Sequence, residues 1–134
     1  MHKKKKQIIK EIGYIDEEIC EKFNLSKTID RRIIQSFDLY LHIQKHMPDF
    51  KDIDIYNNIA TNLDKLLINP IFVFYDRKKN SLLYYSHMSI YVCLVVKLCD
   101  SKSSYIATIY PVNENKIRKM KEKSYILNWF FLYI

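Results

Sequence analysis

Glycine occurs once and proline three times in 134 residues, which excludes collagen-like and solenoid chains and leaves no room for long flexible linkers. The three cysteines, Cys20, Cys93 and Cys99, form no CxxC pair and show no regular spacing. An odd, unpatterned set argues against a disulfide framework and fits reduced thiols, so a cytoplasmic protein is expected. No apolar run is long enough to span a bilayer: Ile126–Ile134 is strongly apolar but far too short. Nor does an apolar run follow the lysines at the N-terminus as a secretory signal requires. Gly-rich phosphate loops, GxSxG elbows, dinucleotide-binding fingerprints and helix-turn-helix spacing are all missing. Nucleotide hydrolases, serine hydrolases and dehydrogenases therefore have no support.

Positive charge is abundant. Lysine and arginine number 22 against 15 acids, a net +7. A field of this sign favours polyanions, because phosphate contacts release counterions and speed encounter. Lys3–Lys6 form a basic arm, and Lys116, Arg118, Lys119, Lys121 and Lys123 form a second cluster. Acids gather in Asp16–Glu21 and Asp49–Asp54. One phosphate-binding side would produce this segregation, and so would lysines on solvated faces. Length and a 49% hydrophobic share suit one domain with one core.

The pattern along the chain divides it into a basic arm (1–10), a single domain (11–123) and an apolar tail (124–134). Ile15, Ile19 and Phe23 fall at helical spacing behind Asp16-Glu17-Glu18, whose charge suits a helix N-terminus. Arg31–Phe37 reads as a short strand. Asp38 reads as the N-cap of a helix that carries His42 and His46 and stops at Pro48. Asp52–Ile68 reads as one long helix with Ile55, Ile59, Leu63, Leu66 and Leu67 on a single face, ended by Asn69-Pro70. From Ile71 the period shortens to that of strands: Ile71–Tyr75, Leu82–Ser86, Ser89–Leu98 and Ser104–Tyr110, with polar turns between them. Asn113–Lys123 reads as a basic amphipathic helix with Ile117 and Met120 inward. Helices followed by hairpin-linked strands spell an α+β fold, with N-terminal helices on a roughly four-stranded antiparallel sheet and a basic C-terminal helix.

Three features could carry chemistry. His42 and His46, four apart on a helix, would share a face. They would serve as two zinc ligands, as acid–base groups near neutral pH, or as plain surface histidines. Zinc lacks a third ligand here, since there is no HExxH glutamate and no cysteine knuckle, so no metal or other cofactor is expected. Thr108 and Tyr110 share a strand face, with Ile106 beside them, and offer hydroxyls to a phosphate or ribose, although both residue types also simply favour strands. Lys97 at a strand end and Arg77 in a turn could clamp phosphate, Arg77 bidentately, or could merely be solvated.

In order along the chain, Ile12-Gly13 with the acidic helix behind it, Ile33-Ile34-Gln35-Ser36, Leu41-His42-Ile43, His46 and Pro48-Asp49 make up a first half. Leu63–Pro70 within NLDKLLINP, the Asn80 hairpin, the Val92–Lys97 strand and IATIYPVNENKIRK make up a second. Together, over about residues 11 to 120, they resemble the phage-associated nuclease domains grouped with barnase, EndoU, colicin-type and RelE-like toxins. The resemblance implies a metal-independent endoribonuclease in which the RNA 2′-OH attacks its own phosphate. It implies His46 as acid or base with His42 as its helper, Thr108 as a phosphate or ribose contact, and Lys97 as a source of positive charge. Tyr110, Arg77 and Lys116 would then hold the rest of the strand. Two departures stand out: IATIY is poorer in basic residues than the family pattern, and the Tyr125–Ile134 tail is foreign to it. A non-catalytic module that grips RNA or a host protein on the same fold, such as a phage-encoded inhibitor of host defence, remains the alternative. A third possibility is a subunit that assembles through Trp129-Phe130-Phe131, or an enzyme paired with an inhibitory protein. No membrane partner is expected.

Overall fold

The computed structural model describes residues 9–36, 39, 43–100 and 102–127. Residues 1–8 of the basic arm, Asp38, His42 and the tail beyond Leu127 lie outside the described residues. In chain order the elements are β1 (Ile9–Tyr14), α1 (Glu17–Lys22), β2 (Arg32–Ser36), a 3₁₀ helix (Gln44–Phe50), α2 (Ile53–Ala60), α3 (Leu63–Ile68), β3 (Phe72–Asp76), β4 (Ser81–Met88), β5 (Ile90–Lys97), β6 (Ser104–Pro111), α4 (Glu114–Lys121) and β7 (Tyr125–Ile126). The strands make one sheet in the order β1-β2-β6-β5-β4-β3-β7.

The fold is α+β, but its sheet has seven described strands where four were expected, and it is mixed. β2 runs parallel to β6 through Ile33↔Ser104 and Ile34↔Tyr105, while every other neighbour pair is antiparallel. The additional strands are short and sit at the edges, where alternation over five or six residues is a weak signal. β1 comes before any helix, so the sheet opens the domain as well as closing it. Tyr125–Ile126 pairs with Phe72-Val73, and the Leu127 N–H donates to the Ile71 carbonyl at 2.8 Å.

Two helical expectations change. The helix expected over Asp52–Ile68 is two helices. Asp52 caps α2 by accepting from the Asp54 and Ile55 N–H groups at 2.8 and 3.3 Å. At its end the Thr61 hydroxyl donates to the Asn57 carbonyl at 2.8 Å and the Asn62 amide to the Asn58 carbonyl at 2.6 Å. The Thr61 N–H still reaches the Asn57 carbonyl at 3.1 Å, but the Asn58 carbonyl goes to the Asn62 side chain while the Asn62 N–H turns to the Ile59 carbonyl at 3.0 Å, and the helix ends there. Around His46 the described residues form a 3₁₀ helix that runs through Pro48 to Phe50 rather than stopping before it. Three residues per turn put positions i and i+3 in line, so the neighbour of His46 is Asp49 and not a residue four away.

The sheet has a core on each face. On the first, Leu82, Tyr84, Val92, Leu94, Val96 and Ile109 pack against Ile19 of α1, Ile59 of α2 and Leu66 of α3. On the second, Phe72, Tyr85 and Cys93 lie under Ile117 and Met120 of α4. The hydroxyls of Tyr84 and Tyr85, neighbours in β4, are buried on opposite faces; that of Tyr85 meets the Cys93 thiol, while that of Tyr84 has no hydrogen-bond partner among the described residues. An unpaired buried hydroxyl costs about 1–3 kcal/mol. Tyr84→Phe is therefore expected to leave stability unchanged or raise it by about 1 kcal/mol in urea unfolding. A loss of that size would mean that the hydroxyl is paired after all.

Candidate functional site

The second face reads as a grid, because cross-strand partners point the same way. At one end Asp76, Ser81, Lys97 and Tyr105 form a polar row across β3, β4, β5 and β6. Next come Phe74, Leu83, Val95 and Thr108, then Phe72, Tyr85, Cys93 and Tyr110. α4 covers the third row. Over the first two rows a cavity of about 570 Å³ opens, lined by Asp76, Lys78, Lys79, Ser81, Leu83, Val95, Lys97, Ala107, Thr108 and Tyr110.

Local chemistry shapes its walls. In the β3–β4 turn, Asp76 Oδ1 accepts the Lys79 N–H at 3.3 Å and Asn80 Oδ1 accepts the Tyr75 hydroxyl at 2.8 Å. Asn80 takes a left-handed φ of 47°, which asparagine tolerates better than most residues. The Lys97 ammonium donates to the Lys79 carbonyl, tying the end of β5 to the turn. In β6 the register slips, so that Val95 pairs with Thr108 but Val96 with Ile106, leaving Ala107 as the extra residue of a bulge. The bulge turns Ala107 and Thr108 both toward the cavity and sends Ile106 into the first-face core, away from Thr108 and Tyr110. Unbroken alternation, which would put Ile106 beside them, does not hold here. The Thr108 hydroxyl has only a 3.5 Å approach to the Ile109 carbonyl, too long to hold it, so it is available to a ligand.

Lys97, Thr108 and Tyr110 are thus brought together. His46 stands behind Tyr110 and outside the cavity lining, its ring 6.2 Å from the tyrosine ring and tilted by 46°. Its Nδ1 lies 3.3 Å from Asp49 Oδ2. Nε2 is then the ring nitrogen that Asp49 does not hold. Arg77 goes elsewhere: its guanidinium sits 5.5 Å from the centre of the Tyr75 ring, which packs on the first-face core. Lys116 lies exposed in the first turn of α4, outside the cavity, with its field reaching Cys93. Asp76, Lys78, Lys79 and Ser81 join the site without having been singled out in the sequence. The signal that would have found them is the hairpin register that sets Asp76, Ser81 and Lys97 in one row.

Beneath α4 a buried polar strip adjoins the cavity. Burial pushes the Cys93 thiol up to about 12, and burial together with the neighbouring Cys93 pushes the Tyr85 and Tyr110 phenols up as well. Tyr110 is therefore a neutral phenol whose hydroxyl bonds the Cys93 thiol. The folded protein holds these protons more tightly than the unfolded chain does. Their contribution is complete below the unfolded thiol pKa of about 8.5 and is lost as pH climbs toward 12. The urea midpoint is accordingly expected to fall between pH 8 and pH 11, and less steeply in Cys93→Ala. A midpoint that is flat across this range would refute the burial argument.

Among the described residues no three His, Cys, Asp or Glu side chains cluster as metal ligands, and no helix is long and apolar enough to cross a membrane. Compared with known families, residues 10–119 match the model described as phage-Barnase-EndoU-ColicinE5/D-RelE like nuclease3. The chain belongs to this family. No curated protein and no solved structure matches it. The nuclease-like family covers β1 through most of α4, and so all ten residues that line the cavity.

Proposed function

We propose that this nuclease-family domain is a metal-independent endoribonuclease of the toxin-like kind, and that the cavity on the open half of the second sheet face is its active site. One observation carries the reading: three lysines, the Thr108 hydroxyl and the Tyr110 phenol, far apart in sequence, line a single cavity on a domain of this family. Lys78, Lys79 and Lys97 would neutralise the phosphate, and Thr108 and Tyr110 would hydrogen-bond its oxygens. The RNA 2′-OH forms a bond to phosphorus as the bond to the 5′-oxygen breaks. One group takes the 2′ proton and another gives one to the departing 5′-oxygen, leaving a 2′,3′-cyclic phosphate. His46, oriented by Asp49, is the proposed proton-transfer group and reaches the reacting atoms past Tyr110. Lys116 and Arg77 would serve the flanking backbone, and three free thiols suit action on RNA in a reducing cytoplasm.

Incubation of purified protein with total RNA in EDTA tests this. Fragments ending in cyclic phosphate, and none from an oligonucleotide carrying a single 2′-deoxy sugar at the cut position, are expected. Intact RNA at micromolar protein would defeat the reading. The position of His46 outside the cavity lining favours one alternative, a module that grips RNA without cutting it; it would retain RNA in the same assay and yield no new ends.

A further inference from the structure

The open half of the second face continues past the cavity. Beyond Tyr105 the grid runs through Ile34 of β2 to Glu11 of β1, and beside these lie Arg32 and Tyr14, paired with each other across the same two strands. Glu11 and Tyr14 both bear on the charge of Arg32, as side chains on one face should. The described helices α1, α2 and α3 pack on the opposite face, and α4 covers the row of Phe72, Tyr85 and Cys93.

Two tyrosines among the described residues stand substantially exposed, Tyr14 at 59% and Tyr105 at 40%, and both lie on this face. Their neighbours in sequence turn inward: Ser104 and Ile106 are buried on either side of Tyr105. β6 and β1 are two strand spacings apart, about 10 Å. The platform is therefore a short step from the cavity and within the span of a few nucleotides. Cations line the way, with Lys78, Lys79 and Lys97 at the cavity and Arg32, held to Asp30 at 2.8 Å, at the far end. Glu11, Asp30 and Asp76 are acids on this route, Asp30 being the partner of Arg32. Exposed tyrosine faces interleaved with cations match a polyanion whose bases are free to stack, and a duplex offers no such bases.

We infer that this half of the face is a track for single-stranded RNA, in which Tyr105 and Tyr14 each stack on an unpaired base of the strand that enters the cavity. The inference rests on the RNA reading and names its substrate class: unpaired RNA several nucleotides long. Truncating a stacking residue weakens binding and leaves the proton-transfer groups in place, so its effect belongs in binding rather than in the chemical step.

Fluorescence anisotropy with a 2′-O-methyl oligoribonucleotide of about nine nucleotides measures this without cleavage. The full chain is expected to bind the single strand well and the same strand poorly once it is annealed to its complement. Tyr105→Ala and Tyr14→Ala are each expected to weaken single-strand binding by about tenfold. Tyr105→Phe, which keeps the ring, and Ile68→Ala, exposed on α3, should bind as the wild type does. Unchanged binding in both alanine variants, equal binding of duplex and single strand, or no binding of the probe would overturn the track. Tyrosine-dependent binding with unmodified RNA left uncut would uphold the track and defeat the cleavage reading. Cut RNA with tyrosine-independent binding would do the reverse.

Discussion

Alanine at position 46 is expected to lower RNA cleavage by about 10²–10⁴-fold, the usual worth of a positioned acid or base. The side chain is partly exposed and its polar neighbour among the described residues is Asp49 at 3.3 Å, so removing it should leave the fold intact. A thermal melt matching that of the wild type checks this. Because the His46–Asp49 pair is solvated, Asp49→Asn should cost far less than the loss of His46 itself. On the proposed reading RNA would reach His46 past Tyr110, whose burial keeps it a neutral phenol, so Tyr110→Phe separates the two roles. It should reduce cleavage less than His46→Ala does, since His46 stays in place. A drop of less than tenfold in His46→Ala would remove His46 from proton transfer and leave Tyr110 as the donor within the cavity.

The largest effect on stability is expected from Leu94→Ala. Leu94 sits midway along β5 with no exposed surface, and its partners across the sheet, Tyr84 and Ile109, are themselves buried. Neighbours fixed on both sides by the sheet cannot close over the space left behind. The substitution should therefore cost about 3 kcal/mol, within the usual range for buried leucine truncations. For a domain of this size that lowers Tm by about 10 °C. Val95, one residue on, faces the other way and forms part of the cavity floor, where a contact is already open. Val95→Ala should cost about 1 kcal/mol. Equal losses at the two positions would mean that the faces of β5 are assigned wrongly.

The contrast between Leu94 and Val95 also shows which parts of the fold were legible from sequence. The run Tyr91–Val96 announces a buried central strand, and β3, β4, β6 and α4 follow from period and turn residues. What escaped depended on partners distant in the chain. Whether Arg32–Ser36 pairs with β6, and in which direction, is decided by tertiary contact and not by its own five residues. The break at Thr61–Asn62 coincides with the Asn62 side chain taking the Asn58 carbonyl from the helical ladder, although the apolar stripe continues on either side. At the site, Thr108 and Tyr110 could be named from their strand, but the bulge at Ala107, which moves Ile106 to the opposite face, has no local signature. Arg77 and Lys78 are neighbours with the same charge, yet only Lys78 lines the cavity, because the turn directs Arg77 onto Tyr75. Register, more than composition, determines which basic residues the cavity receives.

The central claim, that this cavity is where RNA is cut, is tested most directly by comparing basic residues inside and outside it. Single-strand RNA cleavage would be measured for the wild type, for Lys78→Ala combined with Thr108→Ala, and for Arg77→Ala, each checked for folding by circular dichroism. A loss of at least about a hundredfold is expected in the cavity variant, as when preorganised phosphate contacts are removed, with near wild-type cutting by Arg77→Ala. Intact RNA with the wild type, or cleavage that survives the cavity substitutions and falls with Arg77, would contradict it.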